Sequence, residues 1–122
     1  MKEEFGFKEL KVWQRSVDFA TDVIQLISEV ETDRKHYRLI EQLESSSTSV
    51  AANIAEGKGR YSKKEFAHFL YIARGSLFET ITFLNIFRKL DWISVHNLNQ
   101  LEKEASEIAK MLNALINSIK SS

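Results

Sequence analysis

The chain reads as an all-α protein, an up-down-up-down antiparallel four-helix bundle, on three observations. Its 122 residues include no proline and only four glycines, Gly6, Gly57, Gly59 and Gly75, so little interrupts a helix. Apolar residues recur at spacings of three and four through four long segments, as expected of helices that each bury one face. The connections between those segments are short, and a short turn forces neighbouring helices to run antiparallel. At this length residues 1–122 make a single domain, because two good cores would not fit.

Helix one is expected from Leu10 to Val30, with Trp13, Val17, Ala20, Ile24 and Ile27 in one apolar row and Phe19, Val23, Leu26 and Val30 in a second. The polar stretch Glu31–His36 breaks the pattern and offers Thr32 or Asp33 as the N-cap of helix two. Helix two then runs to about Glu56 with Ile40, Leu43, Val50 and Ile54 on one stripe, and Gly57 and Gly59 end it. Ser62-Lys63-Lys64-Glu65 reads as a capping box, in which the serine hydroxyl accepts from the Glu65 N–H and the glutamate reaches back to the Ser62 N–H. Helix three therefore starts at a well-defined point and runs to about Lys89. Helix four is capped by Ser94 and places Leu98, Leu101, Ala105, Ile108, Leu112, Leu115 and Ile119 on a lengthwise seam.

Helix three is more apolar than a lone bundle requires. Between Phe66 and Phe87 only Arg74 and Glu79 carry formal charge. Phe66, Phe69, Leu70, Ala73, Leu77, Ile81 and Leu84 supply a core stripe, whereas Tyr71 and Phe78 project away from it and Ile72 and Phe83 lie on another side. Tyr71, Phe78, Ile72 and Phe83 are therefore expected in an oligomer interface, since an exposed patch of this kind invites association. A helix buried deeper in its own bundle is the alternative. Gly75, in the middle of this helix, is expected where two helices approach closely, because glycine there otherwise weakens the helix.

Charge and composition exclude several functions. The 17 basic and 17 acidic residues cancel, which argues against a chain that coats nucleic acid with its whole surface and leaves room for a local basic patch. Cysteine is absent, removing disulfides, cysteine-ligated zinc and thiol nucleophiles. The first residues do not read as a secretion signal, and the long apolar stretch of helix three holds His68, Arg74, Glu79 and Asn85, so a cytoplasmic location with no membrane partner is expected. The sequence shows no phosphate-binding glycine loop and no Ser-His-Asp arrangement, so no enzyme chemistry and no cofactor are expected.

Three polar groupings remain. Ser49, Asn53 and Glu56, with Gln42 one heptad earlier, form a stripe on helix two that can hold a ligand or, as the preferred reading, pair with Ser76 and Glu79 across a packed interface. Glu65 and His68 have the Glu-x-x-His spacing of di-iron bundles, but the second pair such a site needs is missing, because Asp33 and His36 fall in a loop. No metal is expected. Lys58, Arg60, Lys63 and Lys64 surround a glycine-flexed turn at the start of helix three beside Tyr61, a set suited to phosphate and base stacking.

The segments Leu10–Gln14, Ser49–Gly57, Ser62–Phe66 and Ile72–Leu77, with Asn-Ile-Ala-Glu-Gly, Ser-Lys-Lys-Glu-Phe and Ala-x-Gly-Ser in this order, resemble a known family over nearly the whole chain. It is the bacterial four-helix bundle family encoded in intervening sequences of 23S ribosomal RNA genes, similar to the accessory variability determinant of diversity-generating retroelements. The resemblance implies a barrel-like homopentamer without enzymatic activity, and nucleic-acid binding in the retroelement branch. It also marks Asn53, Glu56, Gly57, Ser62, Glu65, Gly75, Ser76 and Glu79 as motif residues, read as scaffold. Where family members often carry basic residues, this chain has Leu43-Glu44-Ser45-Ser46-Ser47-Thr48. The expected function is a homo-oligomeric scaffold, five copies of this chain, that binds RNA or DNA. A protein-interaction module without a nucleic-acid partner is the alternative, and a metal-dependent bundle enzyme is more distant.

Overall fold

The computed structural model describes residues 5–30 and 36–122, so the Thr32 and Asp33 cap candidates lie outside the described residues. A 3-10 turn, Gly6–Glu9, leads into four helices: α1 (Lys11–Ile27), α2 (Tyr37–Lys58), α3 (Lys63–Lys89) and α4 (Val95–Lys120). Side-chain pairs give their directions. Ser46 meets Thr80 and Ser49 meets Ser76, so α3 returns along α2. Arg74 meets Asn113 and Asn85 meets Glu102, so α4 returns along α3. Leu26 shares a groove with Asn97 while Arg15 bonds Glu104, so α1 and α4 are antiparallel too. The fold is an all-α four-helix bundle.

The core runs down the bundle axis from all four helices, with Phe19 and Val23, Leu43 and Ile54, Leu77 and Phe87, and Ile108 and Leu112 fully buried. On α1 the buried strip is Val12, Ser16, Phe19, Ala20, Val23 and Ile27, with Trp13, Val17, Ile24, Leu26 and Val30 half-buried, so the inward face takes residues from both apolar rows. On α3, Phe66, Phe69 and Ile81 are only half-buried, and Ala67, Thr80 and Phe87 take inward positions.

Seen from its packing, α2 is the helix that lets a neighbour come close. Ser46, Ser47, Val50, Ile54 and Gly57 are buried along it. The buried hydroxyls of Ser46 and Thr80 lie 2.8 Å apart, and Thr80 Oγ1 donates to the Ser76 carbonyl at 2.8 Å. One turn on, Ser49 Oγ and Ser76 Oγ are 2.9 Å apart, and Asn53 Nδ2 donates to Ser49 Oγ at 2.8 Å. These bonds satisfy polar groups that a packed seam removes from water. At the far end, a Cβ on Gly57 would lie 2.7 Å from Phe69 Cβ and 3.0 Å from Phe66 Cδ1. Gly57 does not end α2, as expected from the sequence; it is buried inside the helix, where its missing side chain admits α3.

Gly75 behaves in the opposite way. Among the described residues nothing lies within 4 Å of a Cβ built there, and none of their helices packs against it. The expected close approach belongs to Gly57, because the α2 seam meets α3 along Phe66, Phe69, Ser76 and Thr80, and Gly75 points away from that row.

α3 ends in a left-handed cap built on a residue other than glycine. Asp91 has φ 63, its N–H donates to the Arg88 carbonyl at 3.0 Å, and the Trp92 N–H donates to the Phe87 carbonyl at 2.9 Å. This is the Schellman arrangement, and the Phe87 and Trp92 rings supply its apolar contact at 4.8 Å. α4 starts at once from Ser94, whose hydroxyl accepts from the Asn97 N–H at 3.0 Å. On the other side of the bundle, Arg15 grips Glu104 through Nε at 2.9 Å and Nη2 at 2.8 Å, tying α1 to α4. That hydrogen bonding, and then the carboxylate charge, raises the guanidinium pKa above its ordinary value.

Candidate functional site

The connection between α2 and α3 is four residues long, and its basic residues separate into two groups. Ser62 caps α3, its hydroxyl accepting from the Glu65 N–H at 3.0 Å. Among the described residues the reciprocal half of the capping box is not formed; the Glu65 carboxylate instead stands 3.6 Å from Arg60 Nη1. Arg60 also donates to Glu56 at 2.7 Å and lies over the Phe69 ring at 4.9 Å, so two carboxylates and a ring face hold its charge. Glu56 thus pairs with the turn that follows its own helix rather than across the seam. Lys58, the last residue of α2, sits over the Phe66 ring at 5.8 Å.

Lys63 and Lys64 point to the other side, toward α4. They line a groove of about 490 Å³ with Ala67, His68, Tyr71, Ile119, Lys120 and Ser122. Among the described residues no carboxylate side chain lines it. Lys63 Nζ donates to Ser122 Oγ at 2.9 Å. Lys120 Nζ donates to the Tyr71 hydroxyl at 3.1 Å, and Arg74 stacks over the same ring at 5.0 Å while bonding Asn113 Oδ1 at 2.8 Å. Antiparallel packing therefore brings Lys120, from the last turn of α4, beside the first turn of α3. Tyr61 stands outside the groove with a relative exposure of 107%, a ring wholly in solvent.

The apolar residues singled out on α3 divide as well. Tyr71, Ile72 and Phe78 are exposed, at 39%, 38% and 54%, and Ile86 joins them at 40%. Phe78 borders a shallow groove of about 430 Å³ between α3 and α4, lined by Leu77, Ile81, Ala105 and Ala109. Phe83 does not belong with this set: it is half-buried against the protein's own core, as its place next to the fully buried Leu84 on the α2 side of the helix allows. Glu79 and Gln42 are exposed, so Ser76 alone completes the pairing expected for the stripe of helix two. His68 is exposed and stands edge-on to Phe69 at 5.6 Å. Among the described residues no three His, Asp or Glu side chains gather as metal ligands.

Comparison with known proteins agrees with this architecture. A crystal structure of a protein with unknown function from the S23 ribosomal protein family of Bacteroides thetaiotaomicron VPI-5482 superposes with a TM-score of 0.80 at 26% identity, covering 87% of this chain and 95% of that one. No curated protein matches the chain. Neither the matching family nor that structural relative is described as an enzyme, and no helix of the described residues is long and apolar enough to cross a membrane. The family model described as 23S rRNA-intervening sequence protein matches residues 8–114, and with nearly the whole bundle inside that match the chain belongs to this family.

Proposed function

We propose that the protein is a non-enzymatic, cytoplasmic, homo-oligomeric scaffold, five copies around one axis, that binds RNA or DNA through the lysines at the start of α3. The outer surface of α3 carries this reading: Ile72, Phe78 and Ile86 stay exposed on a helix whose opposite side is fully buried, with Tyr71 exposed at the edge of that surface where the lysine groove begins. Covering them with a second copy removes apolar area from water at about 25 cal/mol per Å². Five is the count implied by the family resemblance. A ring repeats Lys63, Lys64 and Lys120 in every copy, so weak phosphate contacts act together.

Sedimentation equilibrium at micromolar concentration tests the assembly. The expected mass is a multiple of 14.1 kDa, with five copies the expected number. Phe78→Glu is expected to move the population toward monomer with little loss of helical signal, because an unpaired charge is costly in an interface. A stable monomer refutes the reading. The pairing of Arg60 with Glu56 and Glu65 favours the alternative, a protein-interaction module, and that module binds no nucleic acid at about 0.1 M salt.

A further inference from the structure

We infer that the α3–α4 groove and Tyr61 together form a track for single-stranded nucleic acid, with phosphates on Lys63, Lys64 and Lys120 and an unpaired base on Tyr61. This rests on the nucleic-acid reading above and narrows it to one strand class and one face of the bundle. The charge distribution selects the face. Arg60 is held by two carboxylates, whereas no carboxylate side chain lines the groove of the three lysines among the described residues. Two lysines on the first turn of α3 and a third across the groove on α4 bracket a single backbone. Lys64, His68 and Tyr71 follow one another at four- and three-residue spacings along α3, and the hydrogen bond from Lys120 to the Tyr71 hydroxyl holds the third lysine over that row.

Tyr61 selects the strand class. Its ring is wholly exposed two residues before Lys63, and an aromatic ring free in water on the turn that leads into the lysine groove is available to stack a base while cations follow the backbone. A duplex keeps its bases stacked on one another and offers Tyr61 nothing to cover. The net charge of +0 agrees, since a duplex binder needs a broad positive surface.

Fluorescence anisotropy of the full chain tests this with labelled oligouridylate and oligothymidylate of about twelve nucleotides and a duplex of similar length. Both single strands are expected to bind more tightly than the duplex, and within about threefold of each other, because phosphate contact and stacking are common to both. With three phosphates per groove the slope of log K against log salt is about −2. Changing Lys63, Lys64 and Lys120 together to Gln is expected to flatten that slope, and Tyr61→Ala to weaken single-strand binding roughly tenfold with the slope unchanged. Arg60→Gln is expected to stay within about twofold of the wild type, and unchanged helical signal and melting show that each variant folds. Tighter duplex binding or an unaffected Tyr61→Ala variant overturns the inference and leaves the broader nucleic-acid reading standing, whereas an unchanged slope in the triple variant overturns both. No binding of any probe at about 0.05 M salt overturns both.

Discussion

Replacing Gly57 by alanine adds one carbon at the tightest point between α2 and α3. That carbon would lie 2.7 Å from Phe69 Cβ, 3.0 Å from Phe66 Cδ1 and 3.2 Å from the Phe66 carbonyl oxygen. Two of those atoms cannot rotate away, because Phe69 Cβ and the Phe66 carbonyl move only with the backbone of α3. Reaching ordinary contact therefore requires the first turns of α3 to retreat by several tenths of an ångström, and overpacking of this kind costs about 1–3 kcal/mol. Alanine recovers at most about 1 kcal/mol of helix propensity, and less here because Gly57 is next to the last residue of α2. The expected net loss is about 1–2 kcal/mol. Urea unfolding followed by far-ultraviolet circular dichroism and tryptophan fluorescence measures it as a midpoint lowered by roughly 1 M at an unchanged slope. A midpoint equal to or above the wild type refutes the close approach. Gly75→Ala, with nothing among the described residues within 4 Å of the new atom and the full mid-helix gain, is expected to change stability with the opposite sign, by up to about 1 kcal/mol.

Other substitutions probe single features. Ser16 is 0% exposed and its hydroxyl has no hydrogen-bond partner among the described residues, so Ser16→Ala is expected to raise the urea midpoint by the equivalent of about 1 kcal/mol; a loss of that size contradicts it. Thr80→Val keeps the shape and removes the bonds to Ser46 and Ser76, at an expected cost of about 1 kcal/mol, and the Ser46→Ala, Thr80→Val double variant should lose less than the two singles added. Asp91→Gly releases a left-handed backbone strain of about 1 kcal/mol and gives up only an exposed ion pair to Arg88, so the melting temperature should rise; a fall would show that the ion pair governs the cap.

The helices of this bundle were legible because their signals are local. Ser62 and Ser94 mark the starts of α3 and α4 through hydroxyls that reach N–H groups three residues on, and apolar spacing depends only on helical geometry. The end of α3 was legible only as a position: Asp91 gives no glycine signal, and the cap forms because Trp92 finds Phe87. The basic residues of the connection were visible as a cluster, but their division was not. Arg60 faces Glu56 and Glu65 across one turn while Lys63 and Lys64 face α4, and that choice follows from the angle at which α3 leaves the turn.

What the chain determines on its own is thus the number, length and direction of its helices, because propensity, capping and periodicity act within a few residues of each other. The register between helices is decided only by packing. Lys120 lies 56 positions after Lys64, and nothing local in either segment places them on one groove until α3 and α4 slide to the register that pairs Arg74 with Asn113 and Asn85 with Glu102. The same holds for the two glycines. In the sequence Gly57 reads as a helix end and Gly75 as a close approach, yet Gly57 meets Phe66 and Phe69 and nothing among the described residues meets Gly75, because rotation of each helix about its axis is set by which side chains the whole core can bury at once.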